Sequence, residues 1–192
     1  MARRSTRRTR FDRSKVERGV RLILEGVGEK TSRAGLKATP ARVCDFYQEM
    51  LAGMWQDPAG YLKPIKGERY EDLVIVRDIR FTSMCEHHLL PFMGTVAVAY
   101  VPRGGRIVGI SKIVRAVDAV AGRLQMQERM TGEIADAIAS ELKPAGVFVI
   151  VKAEHLCMTV RGVRKPGASI VTSEARGTLR QPARQASVLA SL

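Results

Sequence analysis

Apolar positions change their rhythm near residue 72. Before it they recur at helical intervals; after it strand-like runs alternate with helical stretches. Between Ser14 and Glu25, Val16, Val20, Ile23 and Leu24 fall on one side of a helix that Gly26 and Gly28 end. Thr39-Pro40 predicts a second start, with Thr39 as cap and Pro40 at the first helical position. Val43, Phe46, Tyr47, Met50 and Leu51 carry that stripe to Gly53, and residues 53–70, with Gly, Pro and scattered aromatics, read as a surface connection.

Leu73 to Val76, with Ile79 and Phe81, predict a first strand, and Gly94 to Val101 a second, closed by Pro102 and Gly104-Gly105. They suit an antiparallel pair with residues 85–88 at its hairpin end. Ser111 is placed to cap a helix whose apolar side is Ile113, Val114, Val117, Val120 and Ala121, with Gly122 ending it. A further helix is expected from Gln125 to Leu142, facing the core with Met126, Met130, Ile134, Ala137 and Ile138, and stopped by Pro144 and Gly146. Val147 to Glu154 predicts a third strand and Met158 to Val163 a fourth. The order β-β-α-α-β-β after an N-terminal helical segment implies an α+β layer, antiparallel strands with two helices on one face. The expected divisions are a disordered leader over 1–12, a helical segment over 13–70, a catalytic domain over 71–177 and a weakly patterned tail over 178–192, with looseness expected from about residue 174.

Composition narrows this picture. The chain has 192 residues, 45% of them hydrophobic but only 5% aromatic, so an aliphatic core of ordinary size is expected. No run approaches the length of a membrane span. Three cysteines make no disulfide framework and suit a reducing cytoplasm. The net charge of +13 points to a polyanionic partner, nucleic acid or a small polyphosphate, although five arginines of that excess sit in residues 1–10.

Five of the six histidines and cysteines fall in two clusters, Cys85-Glu86-His87-His88 and His155-Leu156-Cys157. Thiolates and imidazoles gathered this way suit zinc. Cys85 and His88 can meet around one ion across a turn, whereas neighbouring His87 and His88 diverge in an extended segment. His155 and Cys157, two apart on a strand, would share a face. Cys85, His88 and Cys157 as three ligands leave a fourth position for water, the pattern of catalytic zinc, with His87 and His155 as acid–base groups. Cys85, His88, His155 and Cys157 as a closed structural site is the alternative. Cys44, alone on the apolar side of a helix, reads as a buried inert thiol. Lys112, beside Ser111 at a helix start, with Arg115, Arg161 and Arg42, suggests where an anion would sit, the alternative for each being a solvated surface charge. Glu128, after Gln127, is either a carboxylate for a guanine edge or an acid favoured by the helix dipole.

The segment Ser83-Met-Cys-Glu-His-His-Leu-Leu-Pro-Phe-Met-Gly94 resembles the signature of the zinc type of GTP cyclohydrolase I. Val108-Gly-Ile-Ser-Lys112, Gln125-Met-Gln-Glu-Arg129 with Thr131, and His155-Leu-Cys-Met-Thr-Val-Arg-Gly162 follow in the same order, and Thr39-Pro-Ala-Arg42 and Val171-Thr-Ser173 also fit. The resemblance runs from about residue 14 to residue 177. It implies the tunnelling fold, in which strands of several subunits close a barrel, and a homodecamer of two pentamers with sites between subunits. It implies conversion of GTP and water to 7,8-dihydroneopterin triphosphate and formate, the first step toward folate. By the same resemblance Cys85, His88 and Cys157 hold zinc, and His155 protonates the guanine imidazole ring. His87 assists ring opening and proton transfers at the ribose, which Ser111 adjoins. Gln127 and Glu128 contact guanine, while Lys112, Arg115 and Arg161, with Arg42 from a neighbouring subunit, contact the triphosphate. Leu179 stands where the family carries Phe. Other readings are a paralogue of the same chemistry serving a 7-deazapurine pathway, and a basic nucleic-acid-binding protein with structural zinc. Against the latter, no nucleic-acid-binding signature appears.

Overall fold

The computed structural model describes residues 10–65 and 69–192; most of the expected leader therefore lies outside the described residues. Among the described residues five strands carry the architecture: β1 (Val74–Cys85), β2 (Pro91–Val101), β3 (Leu124–Gln125), β4 (Gly146–His155) and β5 (Ser169–Gly177). They lie side by side in the order β3-β1-β2-β4-β5. The pairs β1–β2, β2–β4 and β4–β5 are antiparallel, and the short β3 runs parallel to the end of β1. The helices are α1 (Arg13–Gly26), α2 (Thr39–Met50), α3 (Ile110–Ala121), α4 (Gln127–Leu142), α5 (Leu156–Thr159) and α6 (Pro182–Leu189).

Period-two alternation decides what each strand buries. Val147, Val149, Val151 and Ala153 of β4 join Val96, Val98 and Tyr100 of β2 in one core with α3 and α4. The helices fill it with Ile113, Val117 and Val120 from α3 and Met130, Ile134 and Ile138 from α4. On β1 the step from Val76 to Ile79 is odd, yet both side chains pack on that core. A bulge at Arg77-Asp78 absorbs the mismatch, with Asp78 in the left-handed region at φ 60°.

The reverse face of β4 is also apolar, through Phe148 and Ile150. With Ala99 they bury Leu179 and Val188, so residues 178–192, expected to be weakly ordered, dock as a 3₁₀ turn and α6. A sheet apolar on both faces needs cover on both, and this segment supplies the second cover.

Other expectations change. The fourth strand is Ser169–Gly177; Met158 to Val163 instead begins in α5 and continues as a loop. Thr39 is the first helical residue of α2, with Ala38 as its cap, and Gly109 rather than Ser111 precedes α3. Met126 lies just before α4 and is 38% exposed, because Leu124-Gln125 pairs with β1 and delays the helix. The connection after Gly53 is pinned rather than loose. Arg123 donates from Nε to Gly53 O and Ala119 O, both at 2.9 Å, and from Nη2 to Gln56 O at 3.0 Å. Cys44 is fully buried and burial pushes its thiol pKa up, as an inert core thiol requires.

Gly94, the last residue of the first cluster's segment, lies where β2 crosses β4. A Cβ there would meet Lys152 O at 1.9 Å and Ala153 Cα at 2.7 Å, so only glycine permits the pairing. Gly94→Ala should lower stability by about 1–3 kcal/mol, the usual cost of overpacking, read as a lower urea midpoint. An unchanged midpoint would show that the strands separate without cost.

Candidate metal centre

The first cluster sits on a tight reversal between β1 and β2. Cys85 N–H donates to Leu90 O at 2.9 Å, and Leu89 N–H to Cys85 O at 3.0 Å. Leu89 takes φ 53°, the left-handed conformation that closes the turn. β3 pins it from the side, since Glu86 N–H donates to Gln125 O at 3.1 Å. This reversal turns His88 back, so that its Nδ1 lies 3.7 Å from Cys85 Sγ. The rings of His87 and His88 stand nearly perpendicular, at 86°, and His87 faces solvent. The divergence expected of these neighbours is present, although on a turn rather than an extended segment.

The second cluster arrives at the end of β4. Antiparallel register sets His155 opposite Phe92 and brings the following residues over the reversal. The chain leaves the strand immediately, so Cys157 sits in the short α5 rather than on a strand face. Ligand atoms of Cys85, His88 and Cys157 all lie within 4.8 Å of one another. Among the described residues this group comprises those three, and His155 is not part of it. Burial, and then the neighbouring Cys85, push the Cys157 thiol pKa up. A thiol whose ionisation burial opposes is readily ionised by a divalent cation, and a soft sulfur–sulfur–imidazole donor set fits zinc.

His155 is only 9% exposed. Its ring stacks on Phe92, centroids 4.5 Å apart and planes within 4°. Burial pushes its pKa below the usual range, and the Glu128 carboxylate acts in the opposite sense. Its Nε2 lies 2.8 Å from Oε1 of Gln127. Gln127 is 2% exposed, with its amide hydrogen-bonded inside the protein. Glu128, the next residue of α4, is exposed.

Ser111, Lys112 and Arg115 are exposed on the first turns of α3, Arg42 on α2 and Arg161 on the loop after α5. Arg161 lies near enough to Cys157 to favour its thiolate. Other cations are committed. Arg129 pairs with Glu86, holding that carboxyl below its usual range, and Arg176 bridges Glu174 and Asp136. Three residues of this neighbourhood carried no role in the sequence reading. Phe92 becomes visible only once strand register is known. Thr131, four residues after Gln127, shares its helix face, and Thr172 reaches both from β5.

Comparison with known proteins follows this geometry. The family profile of GTP cyclohydrolase I matches residues 16–192. The chain is 53% identical over 170 residues to the GTP cyclohydrolase 1 of Halalkalibacterium halodurans, covering 88% of this chain and 90% of that protein. It is 53% identical over 172 residues to that of Bacillus subtilis, covering 90% of each. With that of Geobacillus kaustophilus identity is 50% over 179 residues, covering 93% and 95%.

Metal analysis of the purified protein should find about one divalent ion per chain. Cys157→Ala should lose it, while His155→Ala keeps it. The ligand set would be wrong if His155→Ala released the ion and Cys157→Ala retained it.

Proposed function

The chain belongs to the GTP cyclohydrolase I family, and from that premise we infer that it hydrolytically opens the guanine imidazole ring of GTP. The products are 7,8-dihydroneopterin triphosphate and formate, the first step of tetrahydrofolate biosynthesis. The observation that carries this reading is the convergence of Cys85, His88 and Cys157 in space, with His155 two residues from one of them.

Cys85, His88 and Cys157 hold zinc in this proposal. Zinc supplies Lewis acidity and lowers the pKa of water to about 7, so that hydroxide is available at neutral pH. The protein's own groups do the rest. Arg42, Lys112, Arg115 and Arg161 anchor the triphosphate; among the described residues none of them has an ion-pair partner, which leaves their donors free for a polyanion. Anchoring the phosphates converts delivery of the base into a local event. Glu128, exposed at the start of α4, accepts the two N–H groups of the guanine edge. His155, whose cation burial disfavours, exchanges a proton with the imidazole ring of the substrate. His87, solvent-facing beside the metal turn, serves proton transfers at the ribose, near which Ser111 stands.

Assembly into a homo-oligomer, a decamer of two pentamers, belongs to the same proposal. Leu22, Ile23 and Val27 at the end of α1 are 61–71% exposed in the single chain. The outer edge of β1 over residues 74–83 has no strand partner among the described residues, since β3 pairs only with Met84 and Cys85. Both features support contacts with further copies. No helix among the described residues is long and apolar enough to cross a membrane; we place the enzyme in the cytoplasm.

Zinc-loaded protein incubated with GTP should release formate and develop the absorbance of a reduced pterin. Loss of the His155 imidazole, as His155→Ala, should cost roughly 10²–10⁴ in kcat with zinc retained. Glu128→Gln should weaken discrimination against other purine triphosphates. Absence of both products from zinc-loaded protein would overturn the activity, and unchanged discrimination would remove Glu128 from base recognition.

A further inference from the structure

We propose that Gln127 is a positioning residue for His155, fixing the imidazole in the tautomer with hydrogen on Nε2, and that Thr131 and Thr172 in turn fix Gln127. The inference rests on the role given above to His155.

The orientation of the Gln127 amide follows from its partners. Nε2 lies 3.1 Å from Val151 O, 3.1 Å from Ile170 O and 3.1 Å from Thr172 Oγ1. Two of these are backbone carbonyls, which only accept, so the amide nitrogen must face them. Its two hydrogens serve three acceptors, and one bond is shared. Oε1 is thereby left toward His155, at 2.8 Å. An amide oxygen cannot donate, so His155 Nε2 carries the hydrogen. In the neutral ring the unprotonated nitrogen is then Nδ1, and any proton His155 exchanges passes through it. Stacking on Phe92 restrains the ring plane while the Gln127 bond restrains rotation within it.

The hydroxyls close the arrangement. Thr131 Oγ1 donates to Gln127 O at 2.7 Å, one turn back along α4. It therefore accepts from Thr172 Oγ1, also at 2.7 Å, which leaves Thr172 able to accept from the Gln127 amide. Gln127, Thr131 and Thr172 thus form a closed ring of hydrogen bonds joining α4 to β5, with Val151 O adding β4. A buried ring of this kind is stable when every member is satisfied, and it holds one geometry. At 2% exposure the Gln127 side chain has no free face for a purine.

Nitrogen-15 NMR of the zinc-loaded protein reads the tautomer directly and needs no substitution. His155 hydrogen on Nε2 is expected; hydrogen on Nδ1 would overturn the proposal. Gln127→Leu, of similar volume, should lose this single tautomer and lower kcat about 10–100-fold, the range of orienting hydrogen bonds to functional histidines, with zinc content unchanged and KM for GTP within about twofold. Thr172→Val, which keeps the Gln127–His155 pair, should give a smaller loss of the same kind. A raised KM and relaxed base discrimination in Gln127→Leu, with kcat and tautomer preserved, would instead make Gln127 a substrate contact. His155→Ala run alongside separates the two claims: full rate in that variant removes the role of His155 itself. A lowered rate there with full kcat in Gln127→Leu removes only the positioning.

Discussion

Strand register is the constraint on which this protein turns. Cys85 ends β1 and His155 ends β4, and β2 lies between them, paired antiparallel to both. That arrangement puts the first cluster's reversal and the end of β4 at the same edge of the sheet, although about seventy residues of chain separate Cys85 from Cys157. A slip of one residue between β2 and β4 would turn His155 to the opposite face and remove it from Phe92. Gly94 secures the crossing because no side chain fits there, and the apolar alternation of β4, valines toward the helices and Phe148 and Ile150 away, makes every other register costly.

The site built on this frame combines two kinds of environment. Cys157 and His155 are partly or largely withdrawn from water, and burial disfavours both the thiolate and the imidazolium. A divalent cation bound there would supply the charge the thiolates require. Around this centre the cations divide by task. Arg123, Arg129 and Arg176 bond to carboxylates or carbonyls and tie elements together. Arg42, Lys112, Arg115 and Arg161 remain exposed and unpaired among the described residues, which suits the triphosphate contact proposed for them. The overall charge of +13 therefore overstates the electrostatic design, part of which is structural.

Hydrogen bonding adds a second layer behind His155. An imidazole free to flip would present either nitrogen. One held by an amide whose own nitrogen is tied to backbone carbonyls presents a single nitrogen. The Gln127–Thr131–Thr172 ring connects that choice to α4, β4 and β5, so the elements that shape the core also set the chemistry of the ring.

Much of this was legible in the sequence because short-range rules govern it. Helical spacing located α1 and α3, and period-two alternation located β1, β2 and β4. The unusual gathering of Cys85, His88, His155 and Cys157 pointed to a metal before any fold was known. Local pattern misjudged places where distant partners decide. Met158 to Val163 has strand-like residues but becomes α5 and a loop, and Ser169–Gly177 takes the open edge of β4 instead. Gln125, expected at a helix start, is drawn with Leu124 into a pairing with β1. The weakly patterned residues 178–192 are ordered by the apolar reverse face of β4, which they cover. Gln127 shows the same division within the site. The family resemblance marked it as a guanine contact, but whether its amide meets a substrate or a histidine depends on three acceptors from two other strands. Sequence alone determined the donor chemistry, because residue type fixes what an atom can bind. Only tertiary structure decided which donors face one another, because that depends on register between segments far apart along the chain.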